Sequence, residues 1–101
     1  MQLRDIAHAR SGDKGDISNI SVIVRSMDDY ERVRRDVTAE RVLQCLRSVV
    51  HGRVDRHELP HLGALNFVLH RALGGGVTRS LALDAHGKCL ASVLLSMELP
   101  P

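Results

Sequence analysis

Residues 17–52 read ISNISVIVRSMDDYERVRRDVTAERVLQCLRSVVHG, and this stretch decides the fold class because it joins a strand pattern to a helix pattern. At its start, over residues 17–25, Ile20, Val22 and Val24 fall on one face of an extended chain and the β-branched Ile23 falls on the other. Alternation rich in β-branched residues predicts a strand with one buried face. The mostly polar interval 26–38 predicts a surface connection with a short helical piece over residues 28–35.

Thr38 marks the start of a helix in the same stretch. Its hydroxyl is suited to cap the first backbone amides, and Glu40 lies in the first turn, where the helix dipole favours a negative charge. Gly52 follows the predicted end of the helix. Between them, apolar residues recur at helical spacing: Val42, Leu43, Leu46, Val49 and Val50.

Working outward, the flanking segments predict four more strands and a second helix. We expect strands over residues 2–10, 54–59, 77–83 and 88–99, a turn over 11–16, a helix over 62–73 and a hairpin turn over 84–87. Pro60 would end the third strand, and the glycines at 74–76 would end the second helix.

The predicted order is strand, strand, helix, strand, helix, strand, strand, in one domain spanning residues 1–101. We expect an α+β, ferredoxin-like two-layer sandwich with two main helices on one face of a mainly antiparallel sheet of about five strands. Because the strict βαββαβ order is not reproduced, a variant topology is expected.

Composition excludes several classes of function. Only Tyr30 and Phe67 are aromatic, and the formal net charge is +2 with scattered basic residues. Nucleic-acid binders usually carry a one-sided basic surface or aromatic stacking platforms, so no nucleic-acid partner is expected. No signal-peptide pattern and no apolar run of roughly 20 residues is present, which predicts a cytoplasmic chain without membrane association. Cys45 and Cys89 lack metal-site spacing and are interpreted as free thiols in the core.

The densest polar segment is AHARSGDKGD, residues 7–16. Its glycines permit a loop whose backbone amides converge on an anion, with the arginine and lysine adding charge. Alternatively, its two aspartates ligate Mg²⁺ or Ca²⁺, or the segment is a solvated hairpin. We do not expect a cofactor. The candidate ligand- or partner-binding residues here are His8, Arg10, Ser11, Gly12, Asp13, Lys14, Gly15, Asp16 and, in the next strand, Asn19.

A second candidate segment follows the predicted second helix. Three successive glycines allow close approach of the backbone to a ligand or another chain, although they could equally serve only to end the helix and turn the chain. An asparagine inside the preceding apolar segment needs hydrogen-bond partners, either in a neighbouring loop or in a ligand. The candidates are Gly74, Gly75, Gly76, Arg79, Ser80 and Asn66. No nucleophile and base pair up in the sequence, so no reaction can be named and enzymatic activity stays undecided.

These segments resemble those of a known family. The run Ala9-Arg10-Ser11-Gly12-Asp13-Lys14-Gly15-Asp16 with Asn19 is similar to the opening of the C-terminal domain of AtuA-family proteins, which belong to acyclic terpene utilisation. The later block is similar to the rest of that domain: Leu65-Asn66-Phe67, Gly74-Gly75-Gly76, Arg79-Ser80, Asp84, Gly87 and Lys88.

The resemblance implies a ferredoxin-like fold and a setting in bacterial catabolism of acyclic terpenoids or related branched acyl-CoA compounds. Fused members of the family carry a much larger N-terminal domain. We therefore expect a small subunit or auxiliary binding domain with a larger AtuA-like subunit as partner, in which loops 10–16 and 74–80 bind an anion or the partner. The alternatives are a self-sufficient homo-oligomeric enzyme acting on acyl-CoA thioesters, of hydratase or isomerase type, and a purely structural domain.

Overall fold

The computed structural model describes residues 1–14, 17–47, 50–71 and 87–100. Short 3₁₀ helices lie at Leu3–Asp5, Met27–Asp29 and Pro60–Leu62. The larger elements, in chain order, are β1 (Ala7–Lys14), β2 (Ile17–Val24), α1 (Tyr30–Asp36), α2 (Ala39–Cys45), β3 (Val54–Leu59), β4 (Ala64–His70) and α3 (Gly87–Leu95).

The described strands form one antiparallel sheet in the order β1-β2-β4-β3. The N-terminal β1 occupies the edge that the last strand would hold in a βαββαβ chain. This is an α+β, ferredoxin-like arrangement, which confirms the predicted fold class and the expected variation in topology. The sheet has four strands within the described residues, where about five were predicted.

Several elements follow directly from local sequence signals. β2 and β3 lie where the sequence predicted strands, and the helical piece before residue 38 is present as a 3₁₀ turn leading into α1. Thr38 is the N-cap of α2, because its hydroxyl accepts a hydrogen bond of 3.2 Å from the Arg41 amide. α2 ends at Cys45, earlier than its apolar pattern suggested.

The strand predicted over residues 2–10 and the turn predicted over 11–16 were both misplaced. Residues 3–5 form a 3₁₀ turn. The Asp5 carboxylate accepts a hydrogen bond of 2.9 Å from the backbone amide of Gln2. β1 starts at Ala7 and continues to Lys14, which pairs with Ile17. Residues 10–14 are therefore strand rather than loop, because pairing with β2 outweighs their turn propensity.

The helix predicted over residues 62–73 is wrong. Residues 64–70 form β4, the strand between β2 and β3, and its buried side chains are every second residue: Leu65, Phe67 and Leu69. A short apolar run fits a buried strand as well as a buried helix, and the two neighbouring strands decide for the strand.

The strand predicted over residues 88–99 is also wrong. Residues 87–95 form α3, and Leu90 and Leu94 are buried one helical turn apart. Gly87 is the first residue of this helix, so it does not close a hairpin onto a following strand. The predicted strand over 77–83 and residues 84–86 of the predicted turn lie outside the described residues.

The core lies between the sheet and the helices. α2 packs against β3 and α3 packs across β1, both on the same face of the sheet. Phe67, Ile20 and Val22 from the sheet meet Val42 and Leu94 from the helices, and all are fully buried. In the described part of the chain, no helix is long and apolar enough to cross a membrane.

Candidate binding face of the sheet

The two faces of the sheet differ because side chains alternate along each strand. One face supplies the core, and among the described residues no helix packs on the other, which we call the open face. The open face is defined by His8, Arg10 and Gly12 of β1, Ile17, Asn19, Ser21 and Ile23 of β2, Ala64, Asn66, Val68 and His70 of β4, and Asp55, His57 and Leu59 of β3.

A polar row crosses the middle of the open face, with one residue from each strand. The strand registers place Arg10 opposite Ser21, Ser21 opposite Asn66, and Asn66 opposite His57. The Ser21 hydroxyl donates a hydrogen bond of 3.2 Å to Asn66 Oδ1, which fixes the orientation of the amide. We call these four residues the central row.

Gly12 of β1 and Asn19 of β2 lie next to the central row, two residues further along their strands. They are paired across the strands, and a Cβ atom at Gly12 would lie only 2.9 Å from Asn19 Oδ1. Glycine therefore leaves room for the exposed Asn19 side chain to lie over β1. The same end of the sheet holds Ser18, whose buried hydroxyl donates a hydrogen bond of 3.0 Å to the Gly12 carbonyl.

An ion-pair cluster lies on the β3 side of the open face. His70 Nε2 is 2.8 Å from Asp55 Oδ2, and the Arg53 guanidinium donates to both Asp55 oxygens at 3.2 Å. The hydrogen bond from His70 and then the hydrogen bond and charge of Arg53 lower the pKa of Asp55. All three side chains of this cluster are paired within it, whereas in the central row the paired side chains are Ser21 and Asn66.

The opposite end of the open face is apolar. Leu59 at the end of β3 is 39% exposed and is followed by the turn between β3 and β4. The half-buried Ile23 lies in the same row across the sheet, separated from Leu59 by Ala64. Leu62 in that turn is 68% exposed, and Met27, which is 58% exposed, lies against Gly63 of the same turn. This end of the open face therefore supplies an exposed apolar surface, and Ile17, which is 42% exposed, adds an apolar side chain at the other end.

The structure brings together several residues that the sequence picked out separately. His8, Arg10, Gly12, Asn19 and Asn66 all lie on the open face, although Asn66 was expected on a helix. Ser11 faces the other way, since its cross-strand partner Ile20 is in the core. Asp13 and Lys14 end β1, whereas Gly15, Asp16, Gly74, Gly75, Gly76, Arg79 and Ser80 lie outside the described residues.

The predicted anion-binding loop is not formed by residues 10–14. Successive amides of an extended strand point in opposite directions, so they cannot converge on one anion. The described residues also contain no group of three or more His, Cys, Asp or Glu side chains that could hold a metal ion. Within β1, His8, Arg10 and Gly12 lie on the open face.

Sequence reasoning missed Ser21, His57, Asp55 and His70. The signal available for Ser21 was its spacing of two from Asn19 within a predicted strand, which places both on one face. Asp55 and His57 show the same spacing in β3. Which strands are neighbours is set by long-range pairing, so their meeting with Asn66 and His70 could not be read from local spacing.

A groove lies on the helix side of the sheet. It has a volume of about 380 Å³ and is lined by Arg41, Gln44, Cys45, Met97 and Glu98. The Cys45 thiol donates a weak hydrogen bond of 3.5 Å to the Val93 carbonyl, and burial raises its pKa. Cys45 packs against the core, as predicted, and is held in the thiol form, which is the weaker nucleophile.

These features define an α+β domain of ferredoxin-like type in which, among the described residues, a polar row and an ion-pair cluster lie on the open face of the sheet. The sequence profile of the AtuA ferredoxin-like domain matches residues 1–100. The chain therefore belongs to the AtuA ferredoxin-like domain family. A comparison with curated proteins gives no significant match, and neither does one with solved structures.

Proposed function

We propose that this chain is a small subunit or auxiliary binding domain of an AtuA-like assembly in bacterial catabolism of acyclic terpenoids or related branched acyl-CoA compounds. In this proposal it docks onto a larger AtuA-like chain through the open face. The observation that carries the proposal is that one face of the sheet, on which none of the described helices packs, combines exposed apolar side chains with an arginine, Arg10, whose side chain has no partner among the described residues.

The composition of the open face supports docking of a protein surface. Interfaces between proteins usually have an apolar part that is fully desolvated and a polar part that fixes orientation. Ile23 and Leu59 supply the apolar part at one end, and the central row supplies directed hydrogen-bonding groups. Half-buried residues such as Ser21 and Asn66 are held by the strands, so little side-chain entropy is lost when a partner covers them.

The experiment is a tagged pull-down from the native host grown on a branched or terpenoid carbon source, read by mass spectrometry. A larger AtuA-like chain should be recovered in stoichiometric amount. Leu59→Asp places a charge on the apolar end of the open face and should abolish recovery. Val93→Asp is the matched control, because Val93 is 42% exposed on α3 at the helix side and its replacement should leave recovery unchanged.

Two results would contradict the proposal. Equal loss of the partner in the Leu59→Asp and Val93→Asp variants would exclude the open face as the docking surface. Recovery of this chain alone, at a defined oligomeric size, would favour the self-sufficient homo-oligomer. A CoA ester should then stabilise the purified chain by about 3 kcal/mol when its concentration is about 100-fold above the dissociation constant.

A further inference from the structure

We infer that the central row, Arg10, Ser21, Asn66 and His57, binds a carboxylate group, and that the carboxylate is an acidic side chain of the docked partner. This inference rests on the proposed docking through the open face. It adds the chemistry of the partner's contact residue, which neither the family nor the fold specifies.

The hydrogen-bond donors and acceptors of the central row are unequally used. Ser21 uses its only proton on Asn66 Oδ1, so the Asn66 amide nitrogen keeps both of its N–H groups for another acceptor. The Arg10 side chain makes no hydrogen bond or ion pair with the described residues, and its guanidinium carries five N–H donors. The central row therefore presents many unused N–H donors and few unused acceptors.

The charges around the central row favour an anion as its ligand. The carboxylate of Asp55 is the negative charge of the open face on β3, and it is occupied by His70 and Arg53. No described carboxylate lies within ion-pair distance of Arg10. An anion that accepts hydrogen bonds is thus the complement of the row, and a planar carboxylate matches the fork of the arginine.

The strand positions of Arg10 and Asn66 allow both side chains to contact the same ligand. Arg10 and Asn66 lie on either side of Ser21, each one strand away, so the arginine and the amide can reach one group placed above Ser21. Neighbouring strands are about 4.8 Å apart, so Arg10 and Asn66 originate about 10 Å apart, a gap that the long arginine side chain can shorten. The sheet backbone fixes the positions from which both side chains start.

The test is an NMR titration of the isotopically labelled full chain with sodium acetate, against sodium chloride at equal ionic strength and constant pH. Acetate should cause saturable shifts of the Arg10 Nε–H and Asn66 side-chain amide resonances, and chloride should not. Arg10→Gln and Asn66→Asp should lose the response, the latter because it replaces a donor by a negative charge. Arg47→Gln is the control, since it removes an exposed positive charge at the end of α2 and should respond like the parent chain.

A second arm identifies the source of the carboxylate. If it belongs to the partner, acetate should release the captured chain more effectively than chloride, and Arg10→Gln should weaken capture at least tenfold while Arg47→Gln does not. Absence of a saturable acetate response, or the same response in Arg10→Gln, would overturn the inference. A complex that forms but ignores both Arg10→Gln and acetate would also overturn it, while leaving the docking proposal in place. Acetate binding by a chain that captures no partner would instead contradict docking and assign the row to a free organic acid.

Discussion

Replacing Phe67 tests the strand that the structure places in the middle of the sheet. Phe67 is fully buried in β4, whereas its neighbour Val68 is half-buried on the open face. Phe67→Ala should therefore cost about 3–5 kcal/mol of the free energy of unfolding, because it leaves a large cavity in the core. Val68→Ala should cost about 1 kcal/mol, since it removes two methyl groups, each worth about 0.8 kcal/mol only when fully buried.

The assay is urea unfolding followed by circular dichroism. With a slope of about 1–1.5 kcal/mol per molar urea for a domain of this size, Phe67→Ala should lower the midpoint by about 2–5 M. Val68→Ala should lower it by less than about 1 M. If Phe67→Ala does not fold, Phe67→Leu replaces it and should cost about 1–2 kcal/mol, at least as much as Val68→Ala.

A helix over residues 62–73 would reverse the order of the stability losses expected for Phe67→Ala and Val68→Ala. On such a helix Val68 lies on the apolar side with Leu65 and Leu69, and Phe67 does not. A larger loss for Val68→Ala than for Phe67→Ala would contradict the assignment of β4 and, with it, the open face.

Three further outcomes are expected. Gly52→Ala should cost about 1–3 kcal/mol by urea unfolding, because its Cβ would lie 2.5 Å from the rigid His70 carbonyl oxygen. Gly12→Ala should cost less, since there the clash is with a side chain that can rotate, and equal losses would contradict this. A hydrogen bond from Arg35 holds the pKa of Asp36 below its usual value, despite the opposing effect of burial. This ion pair therefore stabilises the fold above about pH 4 and is lost as pH falls through the lowered pKa, so the Asp36→Asn variant should be less stable at pH 7 and the difference should shrink in acid. A pH-independent difference would refute the ion-pair account. Because burial raises the pKa of the Cys45 thiol, iodoacetamide should modify it more slowly in the folded chain than in urea, as measured by mass spectrometry in a Cys89→Ser background, and equal rates would show that burial does not protect it.

Local signals were sufficient for some elements and misleading for others. β2 and the Thr38 cap are complete within a few residues of sequence, so they were placed correctly. Residues 64–70 and 87–95 were exchanged in type, the first being strand and the second helix. Both are short and rich in Leu and Ala or Val, and such runs satisfy strand and helix patterns alike.

The candidate binding face was also predictable from the sequence only in part. Spacing by two placed His8 and Arg10 together within a predicted strand, and the unusual polarity of Asn66 was visible in the sequence. Their common surface was not visible, because Arg10 and Asn66 are joined only through Ser21 of the strand between them.

The sequence by itself determined the α+β class, the family, the β2 strand and the start of α2, because composition, alternation and capping act between residues close in the chain. The tertiary structure decided the type of residues 64–70, the extension of β1 through Lys14 and the four-residue central row. These depend on which strands become neighbours, and that choice is made by burying one face of the whole sheet under the helices, a long-range effect that no local pattern contains.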